Sequence, residues 1–488
     1  MPTQKTDMPC EPPVIVLFRN DLRLADNLAL KAAAETGRPV LPVFVFDDGA
    51  DGGRPPGGAR RWWLHHALER LRASLAERGA SLILRRGPTL ATVLSLVEAT
   101  QANAVFWNRR YDPAGIAADS DLKTALRERA LEARSFDGHL LHEPSRLTTG
   151  TGGPYRVYSP FWRALASGGE PRAPVAAPKA IRPLPEAVAS DGLESWSLLP
   201  TAPDWAGGLR DAWTPGEAGA RQRLADFLDA GLQHYAEGRD RPADALTSQL
   251  SPHLAHGEIT PFQIWHALAR PDLDAPARDL ETFRKEIAWR EFSYHLLFHN
   301  RDLASKNVNR DFDAFAWRPD AGLLAAWQQG RTGYPIVDAG MRQLWRTGWM
   351  HNRVRMVAAS FLTKHLLQDW RDGEAWFWDT LVDADPASNP ASWQWVAGSG
   401  ADAAPYFRIF NPVLQGEKFD PDGTYVRDFV PELARLPSRY IHKPWQAPAD
   451  TLSEAGVKLG ATYPVAIVEH RKARTAALAA YDAMKGTR

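Results

Sequence analysis

Four stretches in the second half of the chain gather residue types that do chemistry. In Lys285-Glu286-Ile287-Ala288-Trp289-Arg290, a helix would put Glu286, Trp289 and Arg290 at i, i+3 and i+4, on one face. A buried Glu without a partner is costly or takes up a proton. The plain alternative is a solvated Glu286–Arg290 pair, which is common and weakly stabilising. Thr247-Ser248-Gln249-Leu250-Ser251-Pro252 reads as a helix start with Ser251 as N-cap and Pro252 in the first turn. Its hydroxyls and free N–H groups suit an anion such as a pyrophosphate, or form an ordinary cap. After Trp349-Met350-His351, Arg353 and Met356 share a helix face, and Asn352 and Arg355 form a neighbouring pair. Arg beside apolar groups suits phosphate and stacked bases; a solvated helix start is the alternative. Asp383, Asp385 and Asn389 form a polar loop running into Trp393 and Trp395, whose plain role is core packing. The spacing alone names no cofactor.

These residues need elements to hold them. The chain of 488 residues is too long for one typical core. Apolar runs at Val14–Phe18, 40–46, 81–84 and 104–107 alternate with helical patterns, such as 62–78 with Trp63, His66, Leu68, Leu71 and Leu75 along one face. Continuous apolar strands separated by helices predict a parallel, Rossmann-like sheet covered on both faces. No GxGxxG follows the first strand, which argues against a dehydrogenase-type dinucleotide site. Pro, Gly and Ser crowd residues 142–215, and helical patterns follow almost throughout, at 221–230, 279–299, 351–367 and 467–484. The expected division is an α/β domain over 14–141, a connector over 142–215 and an all-α domain over 216–486.

Composition narrows the function classes. Lys+Arg and Asp+Glu each number 58, so net charge points to no polyanion, although a basic face stays open. Cys10 is the single cysteine, which excludes a disulfide framework, a thiolate zinc site and a four-cysteine iron–sulfur cluster; no metal is expected. The opening MPTQKTDMPCEPP lacks a signal-peptide core and no later run would span a bilayer, so a cytoplasmic protein without a membrane partner is expected.

Taken together, TSQLSPHLAHGEIT, KEIAWREF, TGYPIVDAGMRQLWRTGWMHNRVRM and NPASWQWVAGSGADAAPYFRIFNP, in that order, resemble the FAD domain of the photolyase/cryptochrome family. The opening FRNDLRLADN is similar to the family's N-terminal signature, with Asn20 where Arg is frequent. The resemblance runs from about Val14 to about Gly486 and is to the class I/III-like photolyases. It implies one non-covalent FAD per chain, with Tyr235, Thr247, Ser248, Leu250 and Ser251 on its ribityl and pyrophosphate parts. Gln249 departs from the Arg frequent there. Arg290, Asn352, Arg355, Asp383 and Asp385 match residues around the ring, with Arg355 and Asp383 as an ion pair beside it. Asn389 matches the residue facing flavin N5, where an amide is the photolyase-like choice.

The same resemblance places Glu286, Trp289, Met356 and Trp395 in a pocket for a flipped-out pyrimidine dimer. It places Arg239, Arg353 and Arg408 near the DNA backbone, and Trp393, Trp370 and Trp317 in an electron relay from flavin to surface. The implied activity is light-driven repair of cyclobutane pyrimidine dimers in damaged DNA by electron transfer from excited reduced FAD, by a monomer. The alternative is a cryptochrome-type photoreceptor, for which the chain shows little room after the helix ending near Met484. Asn352 and Arg353 after the lone His351 favour cyclobutane dimers over pyrimidine–pyrimidone products. Where folate-binding members carry Asn-Glu, this chain has Ala114-Gly115. That leaves a deazaflavin, a differently held methenyltetrahydrofolate, or no antenna chromophore.

Overall fold

Five parallel strands, β1 (Val14–Phe18), β2 (Val40–Phe46), β3 (Ile83–Arg86), β4 (Ala104–Asn108) and β5 (Glu132–Phe136), lie in the order β3-β2-β1-β4-β5. The computed structural model describes residues 11–402 and 407–486; Cys10 and residues 403–406 of the last motif lie outside them. Val14 stands opposite Val40 on one side and Ala104 on the other, and this register sorts the side chains into two layers. Val14, Val16, Phe18, Phe44 and Phe106 pack against α1 (Leu28–Glu35) and α2 (Gly58–Ala76). Ile15, Leu17, Val43, Val105 and Trp107 pack against α3 (Thr89–Thr100) and α4 (Pro113–Glu128). Both faces are covered, which is why these strands read as unbroken apolar runs.

Three details depart from the sequence expectation. β3 lies two residues later than expected, and β5 was not anticipated. Its residues EARSF are half-exposed at the sheet edge, so they carry no apolar run. On α2, Trp63, Leu68, Leu71 and Leu75 are buried as expected, but His66 turns to the surface and meets Glu69 at 2.9 Å.

Residues 142–215 are not structureless: they include α5 (Tyr158–Ser167), a 3₁₀ turn at Leu193–Trp196 and the short helix Gly207–Ala212. Beyond them the chain is helical. The elements that build the site are α6 (Ser251–Ala255), α7 (Ala277–His299), α8 (Asn352–Ser360), α9 (Trp370–Thr380) and α10 (Ser388–Ala397). The last helix, α11, covers His470–Gly486. α8 runs on into a π turn at Phe361–His365. The loop before α2 packs directly on α9: the Trp378 Nε1–H donates to the Pro55 carbonyl (2.8 Å), and Gly57 lies so close that a Cβ would sit 2.3 Å from the Trp378 carbonyl oxygen. No described helix is long and apolar enough to cross a membrane.

Candidate functional site

A cavity of about 560 Å³ opens among α6, α7, α8 and α10, within the range of cofactor and ligand sites. It collects most of the residues singled out from sequence. Tyr235, Ser248, Leu250, Ser251, Asn352, Arg355, Asp383, Asp385 and Asn389 line it, as do Arg239, Glu286, Trp289, Arg290, Arg353, Met356, Trp393 and Trp395. Thr247, Gln249, Trp317, Trp370 and Arg408 are not among the lining residues.

The polar wall centres on Asp383. Arg355 donates to both its oxygens, Nη1 to Oδ1 at 3.1 Å and Nη2 to Oδ2 at 2.8 Å, a two-pronged pair with fixed geometry. The Ser251 hydroxyl donates to Asp383 Oδ2 at 2.6 Å. Ser251 is therefore not the N-cap: Leu250 holds that position and Ser251 is the first helical residue. The hydroxyl oxygen also accepts from the Trp349 Nε1–H at 3.3 Å, so the side chain is engaged with the cavity wall and not with the helix start. The expected first-turn proline is in place. Gln249 has φ +48° and its Oε1 accepts from Arg223 Nη1 (2.7 Å), which turns its side chain to another partner.

Asp385 starts α10. Its Oδ1 accepts from the N–H groups of Ala387 and Ser388, and its Oδ2 accepts the Tyr294 hydroxyl at 2.7 Å. Tyr294 in turn meets His139 Nε2 at 3.0 Å, and Arg290 donates to that nitrogen (2.8 Å) and to the His139 carbonyl (3.0 Å). Since Arg can only donate, His139 Nε2 is an acceptor and the ring is neutral. Burial, then the charge of Arg290, hold its pKa well below the ordinary value. Arg290 is thus anchored to the residues following β5, not paired with Glu286.

Glu286 pairs instead with Arg239. Trp289 lies flat on Tyr158 of α5, with ring centroids 3.7 Å apart and planes 5° apart. Arg353 donates to Asp240 Oδ2 (2.7 Å) and its guanidinium lies 4.4 Å over Phe419. Arg408 is exposed, over Phe410 at 4.8 Å. Of the three arginines expected near a DNA backbone, two already carry carboxylate partners.

In the cavity wall, Trp393 is buried against Phe377 (5.0 Å) and Trp327 (6.1 Å). Trp370, wholly buried, donates its Nε1–H to Asn307 Oδ1 at 2.9 Å. One turn along α9, a Cβ on Gly373 would lie 2.1 Å from the Trp393 ring, so the glycine sets the close approach of α9 and α10. Trp317 is half-buried on Phe315, at 4.4 Å. Burial thus falls from Trp393 and Trp370 to Trp317.

Sequence reasoning missed Tyr158, Tyr294, His139, Glu374 and Arg54. Glu374 had a legible signal: it stands at i+4 from Trp370 inside the buried stripe Trp370, Gly373, Phe377 and Trp378. Its oxygen accepts from Asn389 Nδ2 at 2.8 Å.

The carboxyl edge of the sheet holds a second crevice, with room for about one water (about 20 Å³). Arg19 and Arg110 both pair with Asp119 at 3.0 Å, and Asn108 Nδ2 donates to Asp21 at 2.7 Å. At the position of the family's folate-holding Glu the chain has Gly115, where a Cβ would lie 2.8 Å from the Arg110 Cβ and so would need the neighbouring chain to shift. This crevice does not fit an antenna chromophore.

Comparison with known proteins bears directly on the cavity. Residues 283–483 match the family model described as the FAD binding domain of DNA photolyase, and residues 14–179 match that described as DNA photolyase. A deoxyribodipyrimidine photo-lyase of Agrobacterium fabrum is 60% identical over 475 residues, covering 97% of this chain and 98% of its own length. Cryptochrome-1 of Arabidopsis thaliana is 39% identical, covering 94% of this chain and 69% of its own. The crystal structure of a bacterial class III photolyase from Agrobacterium tumefaciens superposes with a TM-score of 0.96 at 58% identity, covering 99% of this chain and all of that one.

Proposed function

The chain belongs to the photolyase/cryptochrome family, and from that premise we propose that it is a deoxyribodipyrimidine photo-lyase, repairing cyclobutane pyrimidine dimers in DNA with light and FAD. One observation carries the reading: a single cavity joins the Arg355–Asp383 pair and Asn389 to Glu286, Trp289, Met356 and Trp395. FAD, when bound, supplies the light-driven electron that opens the dimer.

This chain's residues bind, orient and shield. Arg355 and Asp383 would present a fixed donor–acceptor edge to the flavin, and Tyr235, Ser248, Leu250 and Ser251 would surround its phosphate and ribityl parts, with Thr247 and Gln249 outside the cavity lining. Arg290 holds its wall through His139, and Asp385 anchors the start of α10, which carries Asn389 to the ring. Trp289 and Trp395 offer faces to the splayed bases, and Trp289 is stiffened from behind by Tyr158. Glu286 offers acceptors to a base edge, and Arg239 holds it ready. Arg353 and Arg408 meet the DNA backbone. Trp393, Trp370 and Trp317 would relay electrons from an external reductant, such as a thiol, to bound oxidised flavin. The protein acts as a monomer in the cytoplasm, with division points near 141 and 216.

The test is repair itself. With flavin chemically reduced, blue light should restore thymines in an oligonucleotide carrying one cyclobutane dimer, and leave a pyrimidine–pyrimidone lesion untouched. Binding of FAD without repair would instead identify a photoreceptor. For the relay, Trp370→Phe should retain repair with pre-reduced flavin and slow photoreduction of oxidised flavin sharply. Wild-type photoreduction in that variant would remove Trp370 from the path.

A further inference from the structure

Asn389 is held from the neighbouring helix α9. Its Nδ2 donates to Glu374 Oε1 (2.8 Å) and to the Glu374 backbone carbonyl (3.1 Å). With both N–H bonds turned to Glu374, the amide has its carbonyl oxygen left for the cavity it lines. Glu374 is only 3% exposed. Its two oxygens are gripped by one nitrogen of Arg54, each at 2.8 Å. Arg54 belongs to the loop between β2 and α2, in the N-terminal half of the chain, and its side chain is about one third exposed. The loop cannot drift: the Arg54 guanidinium lies 4.4 Å over the Trp378 ring, Trp378 holds Pro55, and Gly58 N–H donates to Asp379 (2.8 Å).

We propose that Arg54 is a positioning residue for the flavin-facing amide: by keeping Glu374 a pure acceptor, it fixes Asn389 with its oxygen toward the cavity. The inference rests on the flavin reading of that cavity. Of the groups bearing on Glu374, Arg54 is the charged one and Asn389 the neutral one. Burial pushes the Glu374 carboxyl up, and Arg54 and Asn389 pull against it. Without Arg54 the carboxyl takes up a proton and becomes a donor. The neutral carboxyl then offers its proton to the amide oxygen, and with only the Glu374 backbone carbonyl still holding the NH₂, the amide can turn its NH₂ inward. An oxygen facing the ring accepts from a protonated ring nitrogen, whereas an NH₂ does not. A cation at the domain boundary thereby selects which protonation state of the bound ring is favoured.

Infrared spectra of the flavin-loaded protein test this directly. Protonated Glu374 has a carboxyl stretch that is assigned by its loss when Glu374→Gln is added to Arg54→Met. At neutral pH the wild type and Arg54→Lys should lack this band, and Arg54→Met should show it. In Arg54→Met the ratio of reduced to oxidised flavin, equilibrated with a reference dye, should fall about tenfold, the weight of one hydrogen bond present in only one state. Arg54→Lys should restore most of the ratio. An Arg54→Met protein without the band, or with the band and a wild-type ratio, overturns the proposal. Should Arg54→Met fail to fold, Arg54→Gln carries the same two readouts. Protein that takes up no flavin would refute the flavin reading, while the carboxyl band, which needs no flavin, would still decide the Arg54 contact.

Discussion

At the carboxyl edge of the sheet, Arg19 and Arg110 close on Asp119 and leave room for about one water; among the helices, Arg355 closes on Asp383 beside about 560 Å³ of space. Both regions are made of arginines, carboxylates and amides. In the first, the charged groups turn on one another across the mouth of β1 and β4, and the paired groups fill the crevice. In the second, Arg355, Asp383, Asp385 and Asn389 are pinned from behind and present a free edge to a space with apolar walls. Paired charges therefore do not mark a ligand site; paired charges with vacant volume on one side do.

The comparison can be broken by making the same change in both places. Asp383→Ala strips Arg355 and Ser251 of their acceptor, and breaking such a buried pair costs about 3–5 kcal/mol. The variant should purify with little FAD, read from its visible absorbance. Asp119→Ala should lower the melting temperature and leave flavin content unchanged. Equal loss of flavin from both would mean that the crevice takes part in cofactor binding.

Acid should act mainly on the helical part. His351 caps α8, its ring nitrogen accepting from the Arg353 N–H at 3.2 Å, and burial brings its pKa down from 6.5 to about 4, opposed by Asp240 and aided by Arg355, Arg353 and Arg239. His365, hydrogen-bonded to His470 on α11 at 2.8 Å, falls to about 3 through burial and then His470. The unfolded chain binds these protons below about pH 6.5 and the folded chain does not, so stability is full above that pH and falls towards pH 4. Between pH 7 and 5 each His should cost about 2 kcal/mol, seen in denaturant midpoints. His351→Asn, which keeps a capping oxygen, should flatten the decline; an unchanged pH profile would exclude His351 as a source.

Smaller effects sharpen the division inside the cavity. Glu286→Ala should weaken binding of dimer-containing DNA relative to intact DNA by about 1–3 kcal/mol, and leave bound FAD untouched. Because Arg239 and Arg353 already carry carboxylate partners, Arg408 is the arginine of the three most open to a phosphate. Arg408→Ala should reduce the slope of log affinity against log salt by about 0.9 without altering lesion preference. A slope that does not move would place the backbone contact elsewhere.

The sheet was legible because β1, β2 and β4 are buried on both faces and say so residue by residue. β5 was not, since an edge strand with half-exposed polar residues has no apolar run. The cavity was legible as motifs, and the motifs came with their own neighbours: Arg355 and Asp383 do pair. What stayed hidden was every contact made across the chain. Nothing near Glu286 in sequence names Arg239, and nothing near Trp289 names Tyr158, because the partner is chosen by packing and not by spacing. Ser251 was misread for the same reason: its hydroxyl serves a carboxylate 132 positions away and the Trp349 indole, and its backbone is already helical.

The contact between Arg54 and Glu374 spans 320 positions. During synthesis at about 5–20 residues per second, the loop before α2 emerges roughly 15–65 s before its anchor does. The remaining strands and covering helices of the sheet, up to Phe136, follow within the first part of that interval, while the groove around Gly57 has no Trp378 to fill it until the end. The N-terminal side of the half-made protein thus waits for α9 before the groove is filled, and α10 and α11 are added after that closure.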